Sequence, residues 1–235
     1  TDPIETIIDG DWVRANGTTL GADNCIGVAA GMAIIESNDI QHGPLELFIT
    51  ADEETGMYGA FGLEPGTLQG KLLMNMDSED FGELYVGCAG GMDATIEWKY
   101  QGVALPVGDI ALKVNITGLK GGHSGLEINL GRANANKLLF RMLLAIKEQM
   151  DMKLASVDGG GLRNAIPREA EVVLTLPKEN VAALKEVVDE WRETFTGEYG
   201  FVEKTLTLEV ADVALPAQQV PEEVQDNLVN ALCAC

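Results

Sequence analysis

No run of apolar residues in this chain approaches the roughly 18 needed to span a bilayer. The opening Thr1-Asp2-Pro3-Ile4-Glu5 has neither the basic nor the apolar stretch of a secretory leader. Basic residues are scarce: 16 Lys and Arg stand against 37 Asp and Glu, a formal charge of −21. Such a surface repels nucleic acid phosphates and anionic headgroups and favours cations, divalent metals among them. The same charge also serves solubility. The expectation is a soluble, cytoplasmic protein with no nucleic acid and no membrane partner. Cysteine is sparse too. Cys25, Cys88, Cys233 and Cys235 follow no zinc-ribbon or disulfide-framework spacing, which points to reduced thiols. The chain begins without methionine and stops on Ala231-Leu232-Cys233-Ala234-Cys235, inside a helical pattern with no terminating Gly or Pro, so both ends read as cut.

What is present suffices for a packed core: 235 residues, 46% of them hydrophobic, allow one large domain or two ordinary ones. The first ninety residues alternate short apolar runs with helical stretches, the rhythm of an α/β domain with parallel strands. Leu45–Thr50 and Lys71–Met76 read as strands, and Asn24–Glu36 as a buried helix with little polar face. From about residue 90 the order becomes β-α-β-β-α-β, a ferredoxin-like unit. Its strands are expected at Ile110–Ile116, Lys153–Val157, Glu169–Leu176 and Lys204–Val210, and its helices at about Gly131–Met150 and Glu179–Phe195. Leu139, Met142, Leu143, Ile146 and Met150 recur at helical spacing, as do Val181, Leu184, Val188, Trp191 and Phe195. Each stripe should cover the sheet.

Three acidic positions share a placement. Asp23 follows Thr18-Thr19-Leu20, Asp52-Glu53-Glu54 follows Leu45–Thr50, and Asp77 follows the run ending at Met76. Loops past the carboxyl ends of parallel strands converge on one crevice. Several carboxylates gathered there cannot all stay ionised without a cation, and a divalent metal would neutralise them and hold them as ligands. Neighbouring glutamates point differently, so one of Glu53-Glu54 can ligate while the other faces water as a general base for attack on a carbonyl. Taken singly, each has a plainer reading: Asp23 as a helix cap, Asp77 in a polar turn with Ser78-Glu79-Asp80, the glutamate pair as surface.

Together, Gly21-Ala22-Asp23-Asn24, Asp52-Glu53-Glu54-Thr55-Gly56, Asn75-Met76-Asp77-Ser78-Glu79 and Gly121-Gly122-His123-Ser124-Gly125 resemble the aminoacyl-histidine dipeptidases, di-zinc metallopeptidases that include carnosinases. Gly87-Cys88-Ala89-Gly90-Gly91 and Arg163-Asn164-Ala165-Ile166-Pro167 extend the resemblance across nearly the whole chain. It implies an α/β catalytic domain, represented here in part by residues 1–89, followed by a ferredoxin-like lid and dimerisation domain at 90–235 that is incomplete at its C-terminus. By the same resemblance Asp23 bridges two zinc ions, for which cobalt or manganese can substitute. Glu54 and Asp77 each complete one ion's carboxylate ligands, and Glu53 is the general base. The implied reaction is hydrolysis of Xaa-His dipeptides such as β-alanyl-histidine by metal-activated water, in a homodimer. His123 would reach the partner's active site and stabilise the oxyanion or substrate, and Asn164 would contact substrate.

The resemblance also implies two histidine ligands lying outside this chain, so a fragment with an incomplete site, weak or partial metal occupancy and no activity of its own is expected. His42, in a Gly-Pro turn, reads as a surface residue. Cys25, beside the bridging Asp23, reads as a small buried residue or as a soft metal ligand. Two other readings stand alongside: a tripeptidase or N-acyl-amino-acid deacylase of the same superfamily, and a non-catalytic lid and dimerisation piece.

Overall fold

A computed structural model describes residues 3–78 and 80–235. The chain divides into two compact units, Thr1–Asp93 and Ala94–Cys235. Among the described residues no helix is long and apolar enough to cross a membrane.

The first unit opens with a hairpin, β1 (Thr6–Asp9) and β2 (Trp12–Ala15), in register Asp9 to Trp12. Its two-residue connection uses Gly10 at φ +63°, the left-handed conformation tight hairpins demand. The sequence reading missed this hairpin, although Gly10-Asp11 between apolar pairs is its usual signal. Helix α1 (Cys25–Glu36) forms where expected. Asn24 caps it by accepting the Gly27 N–H at 2.9 Å. Two one-turn helices follow, α2 (Glu53–Gly56) and α3 (Tyr58–Phe61).

Two expectations for this unit fail. Leu45–Thr50, Lys71–Met76 and the run before Asp23 join no ladder among the described residues. Helix α1 buries only Gly27, leaving Ile26 and Ile35 exposed. The cause is the same in both cases. A strand exists only through neighbours that take its N–H and C=O groups, and an apolar helix is buried only where a sheet covers it. No such sheet forms among the described residues of this unit.

The second unit follows its sequence closely. Strands β3 (Asp109–Thr117), β5 (Lys153–Gly159), β7 (Ala170–Pro177) and β8 (Thr207–Asp212) build an antiparallel sheet in the order β5-β7-β3-β8. Helices α4 (Ala135–Gln149) and α5 (Val181–Tyr199) supply the crossovers. This is the ferredoxin-like arrangement. Leu112, Val114 and Ile116 of β3 alternate into the core against Val172, Leu174 and Leu176 of β7. The expected stripes cover them: Leu139, Met142, Leu143 and Ile146 on α4, and Leu184, Val188 and Phe195 on α5, are all fully buried. Each such side chain contributes roughly 1.5–3 kcal/mol of burial. Ala155 is an extra residue in β5, since Leu154 faces Leu174 and Ser156 faces Val173. The short strands β4 (Gly122–His123) and β6 (Ala165–Ile166) pair separately.

Helix α6 (Glu222–Ala234) closes the unit. The buried Gln225 accepts the Leu154 N–H at 2.7 Å and donates to the Met152 carbonyl at 3.2 Å. Val220 donates to the Leu154 carbonyl at 2.7 Å, so this segment takes up backbone groups at the start of β5. Between the segment that leads to β3 and the one that leads to α6, Val103 and Gln219 form an antiparallel bridge through two hydrogen bonds of 2.9 and 3.0 Å.

Candidate functional site

The carboxylates singled out in the sequence all lie in the first unit. Asp23 stands just before Asn24, the residue that caps α1, and the Asp23-Asn24 peptide is cis. Asn24 does more than cap the helix, because its Nδ2 donates to the Met76 carbonyl at 2.6 Å. One side chain thus joins the neighbour of Asp23 to the neighbour of Asp77. Gly27 permits this approach: a Cβ there would stand 2.9 Å from Met76 Cβ. The Asp77 N–H in turn donates to Asn75 Oδ1 at 3.0 Å. Glu79, part of the same motif, lies outside the described residues.

Glu53 and Glu54 form the first turn of α2, entered through Asp52 in the left-handed conformation at φ 56°. A non-glycine residue there is uncommon, and such backbone clusters at sites that must aim particular side chains. Partial burial is the main cause that pushes the Glu53 carboxyl above its usual range. The negative charges of Glu54, Asp77 and Asp23 add to it in that order. Glu53 therefore senses its immediate neighbour and two carboxylates from separate stretches of chain.

In donor chemistry this set suits a divalent cation, whose charge would relieve that repulsion. The side chains are not drawn into one coordination sphere. Among the described residues no three of His, Cys, Asp and Glu stand close enough together to hold a metal ion. Cys25 is exposed, and its thiol donates to the Gly21 carbonyl at 3.4 Å, which corrects the reading of a buried residue. His42 is exposed, with Nδ1 2.7 Å from the Gly43 carbonyl oxygen.

His123 and Asn164, far apart in sequence, meet in the second unit. The β4–β6 pair sets His123 opposite Ala165, and Ser124 N–H donates to the Asn164 carbonyl at 2.9 Å. His123 is exposed, and Nδ1 of its ring accepts the N–H groups of Gly125 and Leu126 at 3.0 and 3.1 Å. Beside this pair lies a cleft of about 450 Å³ lined by Ser124, Ile128, Asn136, Gly160, Arg163 and Pro167. Sequence reasoning overlooked Glu127 and Arg132, which hold the His123 turn from behind. Neither belongs to the motif around the histidine, and a Glu and an Arg five positions apart look like ordinary surface.

Residues 114–202 match the peptidase dimerisation domain of the M20 type. The chain is 45% identical over 233 residues to the cytosol non-specific dipeptidase of Escherichia coli, covering 99% of this chain and 48% of that protein. It is 47% identical, with a TM-score of 0.68, to the crystal structure of aminoacylhistidine dipeptidase from Vibrio alginolyticus, covering all of this chain and 48% of that one. An uncharacterized Bacillus subtilis protein, YqjE, is 26% identical over 72% of this chain. The chain spans about half the length of the curated relatives it matches. The resemblance to the aminoacyl-histidine dipeptidases holds along the chain, and so does the α/β class with its ferredoxin-like second part.

Proposed function

From a chain similar to dipeptidases along its length, with the M20 dimerisation domain in its second half, we propose that the protein is part of a metal-dependent dipeptidase that hydrolyses Xaa-His dipeptides such as β-alanyl-histidine. The single observation that carries this is the 45–47% identity to two dipeptidases, which spans every carboxylate motif of the chain. Residues 1–89 serve as part of the catalytic domain and 90–235 as the lid of a cytoplasmic homodimer.

Asp23, Glu54 and Asp77 would hold the metal, two zinc ions in the intact protein, and these supply Lewis acidity toward the scissile carbonyl when bound. Glu53 takes the proton of the attacking water and returns it to the leaving amine, a task suited to a carboxylate whose desolvation, and then its acidic neighbours, raise its proton affinity. His123 donates from Nε2 to the developing oxyanion in the partner subunit's site, and Asn164 orients the substrate beside it.

The test is chelator-sensitive, zinc-dependent hydrolysis of β-alanyl-histidine by the intact protein, with Glu53→Gln alongside. Loss of turnover by a factor on the order of 10² or more, with metal content unchanged, is expected. A variant that keeps its rate would remove Glu53 from the mechanism. The word "non-specific" in the name of the Escherichia coli relative favours a broader second reading. Equal kcat/KM on dipeptides with and without histidine would select it. Cleavage confined to acylated amino acids or tripeptides would move the protein to another branch of the superfamily.

A further inference from the structure

We propose that Glu127 and Arg132 are positioning residues: they fix the turn that carries His123 so that its ring presents Nε2–H outward as a hydrogen-bond donor. The catalytic half of this inference rests on the reading of His123 given above. The structural half stands on contacts within the second unit alone.

The ring settles its own tautomer. Both groups that reach Nδ1 are backbone N–H donors, from Gly125 at 3.0 Å and Leu126 at 3.1 Å. A nitrogen that accepts keeps its lone pair, so the proton of the neutral imidazole sits on Nε2. Glu127 closes the turn from the other side. Its N–H donates to the His123 carbonyl at 3.1 Å, and its Oε2 accepts the His123 N–H at 2.8 Å. This is the reciprocal logic of a capping box, with an imidazole in place of the hydroxyl. Arg132 braces the arrangement: Nη2 donates to Glu127 Oε1 and Nη1 to the Gly121 carbonyl, both at 2.6 Å. The guanidinium therefore grips the backbone ahead of His123 and the carboxylate behind it. Gly122 leaves room for this, since a Cβ there would collide with both Arg132 Nη1 and Glu127 Oε2. The His123 N–H, helped by Arg132, holds the Glu127 carboxyl below its usual range, keeping it an acceptor.

The chain contains two histidines, and the other is an opposite internal reference. His42 Nδ1 faces the Gly43 carbonyl oxygen, which can only accept, so its proton sits on Nδ1.

Long-range ¹⁵N–¹H correlation spectra of the intact protein, taken where imidazole is neutral, should show His123 as a single Nε2–H tautomer and His42 with Nδ1–H character. In Glu127→Ala the His123 signal should move toward a tautomer average. Glu127→Gln, which keeps an acceptor for the His123 N–H, should preserve it. On β-alanyl-histidine, Glu127→Ala should lower kcat by about 10- to 100-fold with KM changed much less. In a His123→Ala background the same substitution should change kcat by less than about twofold, because a residue acting through another has nothing left to position. Should Glu127→Ala not fold, Arg132→Lys, which keeps the charge but not the two-pronged reach, carries the same expectations. A His123 tautomer unchanged by these variants, or losses that multiply with His123→Ala, would overturn the proposal. If even the unaltered protein cleaves no dipeptide, the functional reading fails, while the tautomer spectra still decide the positioning claim.

Discussion

Glu203 is 2% exposed yet carries a carboxylate. It is held by the N–H groups of Lys120 at 2.8 Å and Ala133 at 3.0 Å, one on each side of the His123 turn. Removing it strands two backbone donors in a dry place, so Glu203→Ala should cost roughly 2–4 kcal/mol in urea unfolding, and Glu203→Gln distinctly less because an amide oxygen still accepts. A loss in the alanine variant no larger than that of a surface glutamate would mean water replaces the carboxylate. Nothing around Val202-Glu203-Lys204 announces this role, since its partners lie 83 and 70 positions away. The carboxylates of the first unit stand out in the sequence because each follows an apolar run where a charge needs a reason, and their joint role is the one proposed above. The desolvation of Glu53, to which its acidic neighbours add, has its own consequence: without metal, Glu53→Gln should unfold no more easily than the unaltered protein. A clear loss of stability would show that Glu53 is held by favourable contacts instead.

Helices α4 and α5 are joined at their outer faces by Arg141, whose guanidinium meets Glu198 through two bonds of 2.7 and 2.9 Å and lies 5.5 Å from the ring centres of Trp191 and Phe195. The hydrogen bonds from Arg141 hold the Glu198 carboxyl below its usual range. With the folded value depressed, the pair's contribution is complete above the unfolded glutamate value of about 4.3 and disappears as pH falls through the lower folded value. Urea midpoints measured between about pH 5 and pH 3 should therefore fall less steeply in Glu198→Gln, by under about 1 kcal/mol for so exposed a pair. Parallel curves would show that the bridge contributes nothing. Elements of this kind were legible because each helix of the second unit carries its own apolar stripe and each strand finds its partner in the same segment. The runs Leu45–Thr50 and Lys71–Met76 have strand composition too. Composition sets what a run prefers, and only a neighbour's backbone makes it a strand.

A net charge of −21 repels itself throughout the chain. Raising salt from low to about 0.5 M shortens the Debye length well below 10 Å and should raise the melting midpoint, although it weakens bridges such as Arg141–Glu198. A midpoint that falls with salt would mean specific ion pairs outweigh the general repulsion. The Val103–Gln219 bridge matters under mechanical load. Because the segment leading to β3 and the segment leading to α6 are joined to each other, tension applied at these two points falls first on that pair of hydrogen bonds and on the bond from the Thr175 hydroxyl to the Gln219 side chain. In a force experiment with handles at 103 and 219, the first event should be a small, low-force opening that leaves β3, β5, β7 and β8 intact, with the large cooperative rupture only beyond it.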